Sequence, residues 1–138
     1  MKPAIPHAHV AARSLTRIGV SAARAGQAEA AISAYREALE VDPTHMPAHL
    51  NLASLLLHSD RLAEAVEACR LAMDLEESAQ HPYLWLVSGM ARAELGERWA
   101  AEEDLLYYQE HAPDPRFTRV VWRTMRELDR SAVLKRAA

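Results

Sequence analysis

Apolar and small residues recur along this chain with helical spacing, and the pattern of one stretch returns twice. In AISAYREALEVDP (31–43), Ala31, Tyr35 and Ala38 stand at i, i+4 and i+7, and Pro43 closes the run. In AVEACRLAMDLEE (65–77), Ala65, Cys69 and Ala72 take the same offsets, and in AEEDLLYYQEHAP (101–113), Ala101, Leu105 and Tyr108 take them. Upstream of each copy lies a second helical run: SLTRIGVSAARAG (14–26) stops at Gly26, NLASLLLHSD (51–60) at Ser59-Asp60, and LWLVSGMARAELG (84–96) at Gly96. Glycine just past a helix is the residue that takes a left-handed cap at no steric cost. Pro47 and Pro82 stand where a helix can begin without the missing N–H. The pattern therefore predicts helix A, turn, helix B, turn, three times over, with steps of 34 and 36 residues, the spacing of stacked supersecondary units.

A further apolar face comes after the third copy, with Phe117, Val121, Met125 and Leu128 at helical spacing. It predicts a terminal helix that covers the end of the stack with one apolar and one wet face. The first ten or so residues and the last eight read as frayed ends. Small residues inside the repeat mark close helix crossings, and the aromatic fills the groove beside them. Tyr108 is too large for the slot that Ala38 and Ala72 occupy, so the third repeat is expected to pack differently against the terminal helix.

These residues resemble the tetratricopeptide repeat. The first copy, 12–45, carries Leu15, Ile18-Gly19, Gly26, Ala31, Tyr35, Ala38 and Pro43. The second, 46–79, carries Leu52-Ala53, Leu56, Ala65 and Ala72, and departs at Cys69 and Glu77. The third, 82–115, carries Trp85, Gly89, Gly96, Ala101 and Pro113, and departs at Ser88, Arg92 and Tyr108. The resemblance implies an all-α, right-handed superhelical solenoid of three hairpins, preceded by a tail at 1–11 and followed by a capping helix and tail at 116–138.

It also implies a function. In this family the A helices line a concave face that holds a segment of a partner protein. Carried over, the lining is Arg13, Thr16, Arg17, Val20 and Arg24 from the first repeat, and Leu50, Asn51, Ser54, Leu57 and His58 from the second. The third supplies Tyr83, Leu86, Val87, Met90 and Glu94. The first part is basic and the rest largely apolar, which suits an amphipathic helix or an extended peptide with hydrophobic anchors. The family's carboxylate clamp, placed at Thr16, Val20, Asn51, Tyr83 and Val87, retains only Asn51, so a chaperone-tail clamp is disfavoured. The expected role is a non-catalytic adaptor or scaffold. The alternatives are a small chaperone of a secretion or assembly substrate and a self-assembling structural protein.

Composition changes the picture little, except through charge. With 25% charged residues and one cysteine the chain reads as an ordinary globular protein without an internal disulfide, cytoplasmic by default. The net charge of −3 conceals +1 over residues 1–63, −9 over 64–114 and +5 over 116–138. Arg116, Arg119, Arg123, Arg126 and Arg130 form a stripe opposite the apolar face of the last helix. It reads as solvent face or as a docking surface for an acidic partner. A weak homo-oligomer joining this stripe to the acidic middle is a further possibility; nucleic acid is disfavoured because aromatic interleaving is thin, and no segment suits a membrane.

Catalysis and cofactors find no support. No phosphate-cradling glycine loop, nucleophile elbow or HExxH is present. His7 and His9 read as members of the frayed end, and His45 and His49 straddle the turn after Pro43, with nothing to complete a metal site. Cys69 reads as a small buried filler.

Overall fold

The computed structural model describes residues 7–111 and 113–138. They form seven α-helices and one 3-10 segment, with no strand among the described residues. The helices are α1 (His7–Arg24), α2 (Ala28–Val41), α3 (Met46–His58), α4 (Leu62–Met73), α5 (Tyr83–Glu94), α6 (Arg98–His111) and α7 (Pro115–Ala137), with the 3-10 segment Glu76–Gln80 between α4 and α5. Consecutive helices pack on one another, α1 and α5 also lie beside α3, and α7 rests on both α5 and α6. The result is a solenoid of three antiparallel hairpins closed by a long helix.

The three A-to-B turns are built alike. Gly26 and Gly96 sit at φ 76° and 79°, and Asp60 takes the equivalent place at φ 58°. In each, the next residue reaches back to close the helix: Gln27 N–H to Ala22 O, Arg61 N–H to Leu56 O and Glu97 N–H to Arg92 O, all 2.9 Å. These bonds satisfy carbonyls that a helix end would otherwise leave open. The connections from B to the next A differ. Four residues link α2 to α3, whereas nine, including the 3-10 segment, link α4 to α5. The two extra residues of the 36-residue step are accommodated there, with Ser78 Oγ donating to Met73 O at 2.9 Å.

The crossings follow the small residues. A Cβ added at Gly19 would lie 2.5 Å from the ring of Tyr35, and one at Gly89 would lie 2.7 Å from Cγ of Leu105. The middle hairpin solves the same problem with two medium residues, since Ala53 and Cys69 are both wholly buried in the central cluster. Ala31, Ala65 and Ala101 are inaccessible, as their placement at crossings requires. Helices α2 and α4 are tied together by Arg61, which bridges Glu29 and Glu64, while Arg36 also holds Glu64.

The last slot of the pattern explains the third repeat. Ala38 packs with Ala12 and Ala48, and Ala72 with Met46 and Leu84. Tyr108 instead packs with Leu86, Leu105 and Val121, and its hydroxyl accepts the N–H of Asp114 at 3.1 Å. An aromatic ring thus replaces a methyl where α7 docks. The departures Ser88 and Arg92 have a common partner: Asp104, 7% exposed, accepts from Ser88 Oγ at 2.6 Å and Arg92 Nη1 at 3.2 Å. Burial raises the Asp104 carboxyl above the ordinary range in spite of these two donors.

Both ends correct the sequence reading. Helix α1 begins at His7, so residues 7–10 are not frayed, and α7 runs to Ala137 through the segment expected to unravel. Residues 1–6 of the expected tail lie outside the described residues.

Candidate functional site

The register of the crossings decides which side chains face inward. Gly19, Ala53 and Gly89 occupy equivalent places, so Arg17, Asn51 and Val87 are equivalent, as are Arg13, Pro47 and Tyr83. In this register Tyr83 and Val87 align with Arg13 and Arg17, and Leu86 and Met90 align with Thr16 and Val20. Thr16 faces inward to the helix pair: it is 7% exposed and its hydroxyl donates to Ala12 O at 2.8 Å.

Arg13, Arg17 and Arg24 are exposed along α1. Arg13, Thr16, Arg17 and Val20 line a cavity of about 590 Å³ against the start of α3. Val20 and Arg24 line a second, of about 260 Å³, with Asn51, Ser54 and His58 of α3. Val20 is common to both, so they are two stretches of one groove between α1 and α3. Its rim carries Arg13 and Arg17 at one end, where Glu77 also lines the cavity, and is polar at the other; among the described residues no carboxylate lies within ion-pair distance of Arg13, Arg17 or Arg24.

The apolar half of the expected groove is partly covered. Leu86 is 5% and Val87 1% exposed. Leu86 packs with Tyr108 and Val121 beneath α7, and Val87 belongs to the central cluster. Met90 packs against the same α7 cluster, where Thr124 Oγ1 stands 3.5 Å from its sulfur. Tyr83 is tied on two sides, its ring centroid 5.9 Å from that of Phe117 and its hydroxyl 3.3 Å from Ser54 Oγ. Leu50 and Leu57 are half-buried supports of neighbouring clusters. Glu94 stays exposed beside the gap between α5 and α7. The physical reason is the capping helix: it needs an apolar bed, and α5 supplies one.

All five arginines of the α7 stripe are exposed, opposite the face formed by Val121, Thr124 and Leu128. Arg116 pairs with Asp114 at 2.6 Å, and Arg123 borders the gap between α5 and α7. Cys69 is wholly buried and its thiol is pushed up to about 12 by that burial, which leaves it unreactive as a nucleophile.

Two histidines regarded as idle are brought together. His9 Nδ1 lies 3.2 Å from Asp42 Oδ2, and the ring centroids of His9 and His45 are 5.4 Å apart. Asp42 caps α2 and accepts from Thr44 N–H and Oγ1 through its other oxygen, at 3.1 and 2.7 Å. These bonds, the Thr44 hydroxyl first, hold its carboxyl below the ordinary range. Burial, and then the proximity of His9, lowers the His45 pKa. His49 is apart, its Nε2 at 2.8 Å from Pro43 O. The one sequence signal for this cluster is that His9 and His45 stand 36 residues apart, about one repeat, which puts them at matching ends of adjacent A helices.

The comparisons agree with this architecture. The family description "Tetratricopeptide repeat" matches residues 16–82. A peptidyl-prolyl cis-trans isomerase of Arabidopsis thaliana, FKBP42, is 33% identical over 89 residues, which is 64% of this chain but only 24% of that protein. The chain thus spans about a quarter of that relative. Among solved structures, the Arabidopsis OM64 TPR domain aligns with a TM-score of 0.78 at 22% identity, covering 87% of this chain and 98% of that one. The first TPR of Spaghetti (RPAP3) bound to the HSP90 peptide SRMEEVD aligns with a TM-score of 0.79 at 22% identity, covering 91% and 95%. No helix among the described residues is long and apolar enough to cross a membrane. Three hairpins in one register, each closed by the same turn, give this chain the tetratricopeptide-repeat fold, and residues 16–82 match the tetratricopeptide-repeat family itself.

Proposed function

We propose that the domain is a non-catalytic adaptor that binds an extended, acidic peptide of a partner protein in the groove between α1 and α3. The observation that carries this reading is the row Arg13, Arg17 and Arg24, exposed along α1 with no carboxylate within ion-pair distance among the described residues; Arg24 shares its cavity with Asn51 and Ser54, and Arg13 and Arg17 share theirs with Glu77. Guanidinium groups bind carboxylates in two-pronged fashion, and Asn51 adds a side-chain amide. The solved neighbour bound to SRMEEVD, an acidic peptide, supports the chemistry. The third repeat holds Tyr83 and the buried Val87 in place of cations, so the grip is concentrated at the first repeat, and the peptide's far end has fewer charged contacts. The apolar-anchor mode loses its support with the burial of Leu86 and Val87.

Fluorescence anisotropy with labelled SRMEEVD, and with a version whose acidic residues are amidated, tests the proposal. The acidic peptide should bind at least about tenfold more tightly, a difference of about 1.4 kcal/mol. Arg17→Glu should abolish the difference, and binding should weaken with salt as the screening length falls. Equal binding of the two peptides, or an unchanged affinity in Arg17→Glu, would overturn it. Self-assembly through the α7 stripe is the second reading, favoured by the exposed Trp122 beside Arg119 and Arg123. Light scattering at low and high salt separates it from peptide binding.

A further inference from the structure

We propose that His9, Asp42 and His45 form a binding site for a divalent transition-metal ion, zinc by the chemistry of its donors. One ligand atom from each lies within 4.8 Å of the other two, and the His9–Asp42 pair is already at 3.2 Å. Tetrahedral zinc with bonds of about 2.0–2.1 Å needs its donors about 3.3 Å apart, so the His9–Asp42 pair is in place; the other two pairs, within 4.8 Å, close by small rotations of the half-exposed His9 ring and of the Asp42 and His45 side chains. Two imidazoles and one carboxylate are a zinc donor set that leaves a fourth position open. That position faces the cavity of about 590 Å³ that His9 and His45 help to line.

Two further observations point to a ligand. His45 is 4% exposed, and its Nδ1 is buried without a hydrogen-bond partner. A buried imidazole nitrogen left unpartnered is costly, and such a group in a folded protein calls for an explanation. Asp42 is oriented as metal-binding carboxylates are: Thr44 occupies Oδ1 with two donors and leaves Oδ2 for the histidines. Arg13 also lines the cavity and opposes a cation there, but its guanidinium is exposed and free to swing toward the groove. The three ligands come from the first turn of α1, the end of α2 and the residue before α3. A bound ion would therefore staple the first hairpin to the second, and its binding would appear as stability.

The test uses the full chain without an affinity tag, stripped of metal and titrated with zinc chloride, with cobalt(II) as the spectroscopic probe. The expected result is one ion per chain, the visible bands of tetrahedral cobalt displaced by zinc, and a melting temperature higher by about 6–11 °C at roughly 100-fold excess over Kd. His9→Gln, at a half-exposed position that leaves the fold intact, should lose both the bands and the shift. Asp42→Asn should lose them too, whereas His58→Gln should keep them. No binding by the wild type, or a shift that persists in His9→Gln, or one lost equally in His58→Gln, overturns the proposal. Because no readout involves a peptide, failure here leaves the groove reading intact.

Discussion

In the first hairpin Gly19 lies under the ring of Tyr35, and in the third Gly89 lies under Leu105. The two crossings are equivalent, yet the inner face of α1 is open and that of α5 is shut. The difference comes from the element that docks next. Ala38 lets α3 settle against a methyl and keep its own polar residues on the groove. Tyr108 offers α7 a ring, and α7 covers α5 with Val121, Phe117 and Met125. One repeat pattern can therefore serve as a binding face or as a bed for a cap. The choice is made by the last slot of the B helix and by the helix docked against it.

The strongest way to break this comparison is to place a carboxylate on each face. Leu86→Asp buries an unpaired carboxylate beneath α7 and should cost about 4 kcal/mol or more, read as a lost or multiphasic urea transition. Arg17→Glu on the open face should change stability by no more than about 0.5 kcal/mol. If both were tolerated, α5 would be open too. Next in size, Tyr35→Ala should cost about 3–5 kcal/mol in denaturant midpoint, because the ring fills the space that Gly19 leaves.

A smaller effect sharpens the point from the middle hairpin. Cys69→Tyr should overpack against Ala53 by about 1–3 kcal/mol, and Ala53→Gly should recover most of that loss. A double mutant no better than the single would show that the two positions do not share one crossing. The smallest effect is a pH slope. Burial raises Asp104 in the folded chain, so the native state holds that proton to higher pH than the unfolded state does. Its contribution is fully present below the unfolded pKa of about 3.9 and is lost as pH rises through the folded value. The stability of the wild type relative to Asp104→Asn should decline across that window; a rise would reverse the assignment. Glu64 and Glu67, which are lowered by Arg61 and Arg70, slope the other way in both proteins and cancel in the difference.

The period, the turns and the crossings were legible because each is local or repeats: Gly26, Asp60 and Gly96 announce themselves, and Ala31, Ala65 and Ala101 recur at one offset. Leu86 is hidden from periodicity because its burial depends on α7, a helix outside the repeat, and Val87 because it turns into the cluster between hairpins rather than onto the open face. The cationic row Arg13, Arg17 and Arg24 carries no repeat signature, because the second and third repeats place Pro47, Asn51, Tyr83 and Val87 at the positions equivalent to Arg13 and Arg17. The partnership of Ser88, Arg92 and Asp104 was hidden because it joins two helices through side chains that look like ordinary surface residues. In sequence His9 reads as part of a frayed end, and only its spacing of 36 residues from His45, about one repeat, hints at their proximity.

The single thiol sits where the three hairpins meet. Cys69 is inaccessible, and at about 12 its ionisation is suppressed at any neutral pH. An alkylating reagent can therefore reach it only while the middle of the stack is transiently apart. Its labelling rate, compared with that of the unfolded chain, counts those openings directly. The chain thus carries its own clock for the breathing of the solenoid, at the one place through which motion between its open and its capped end must pass.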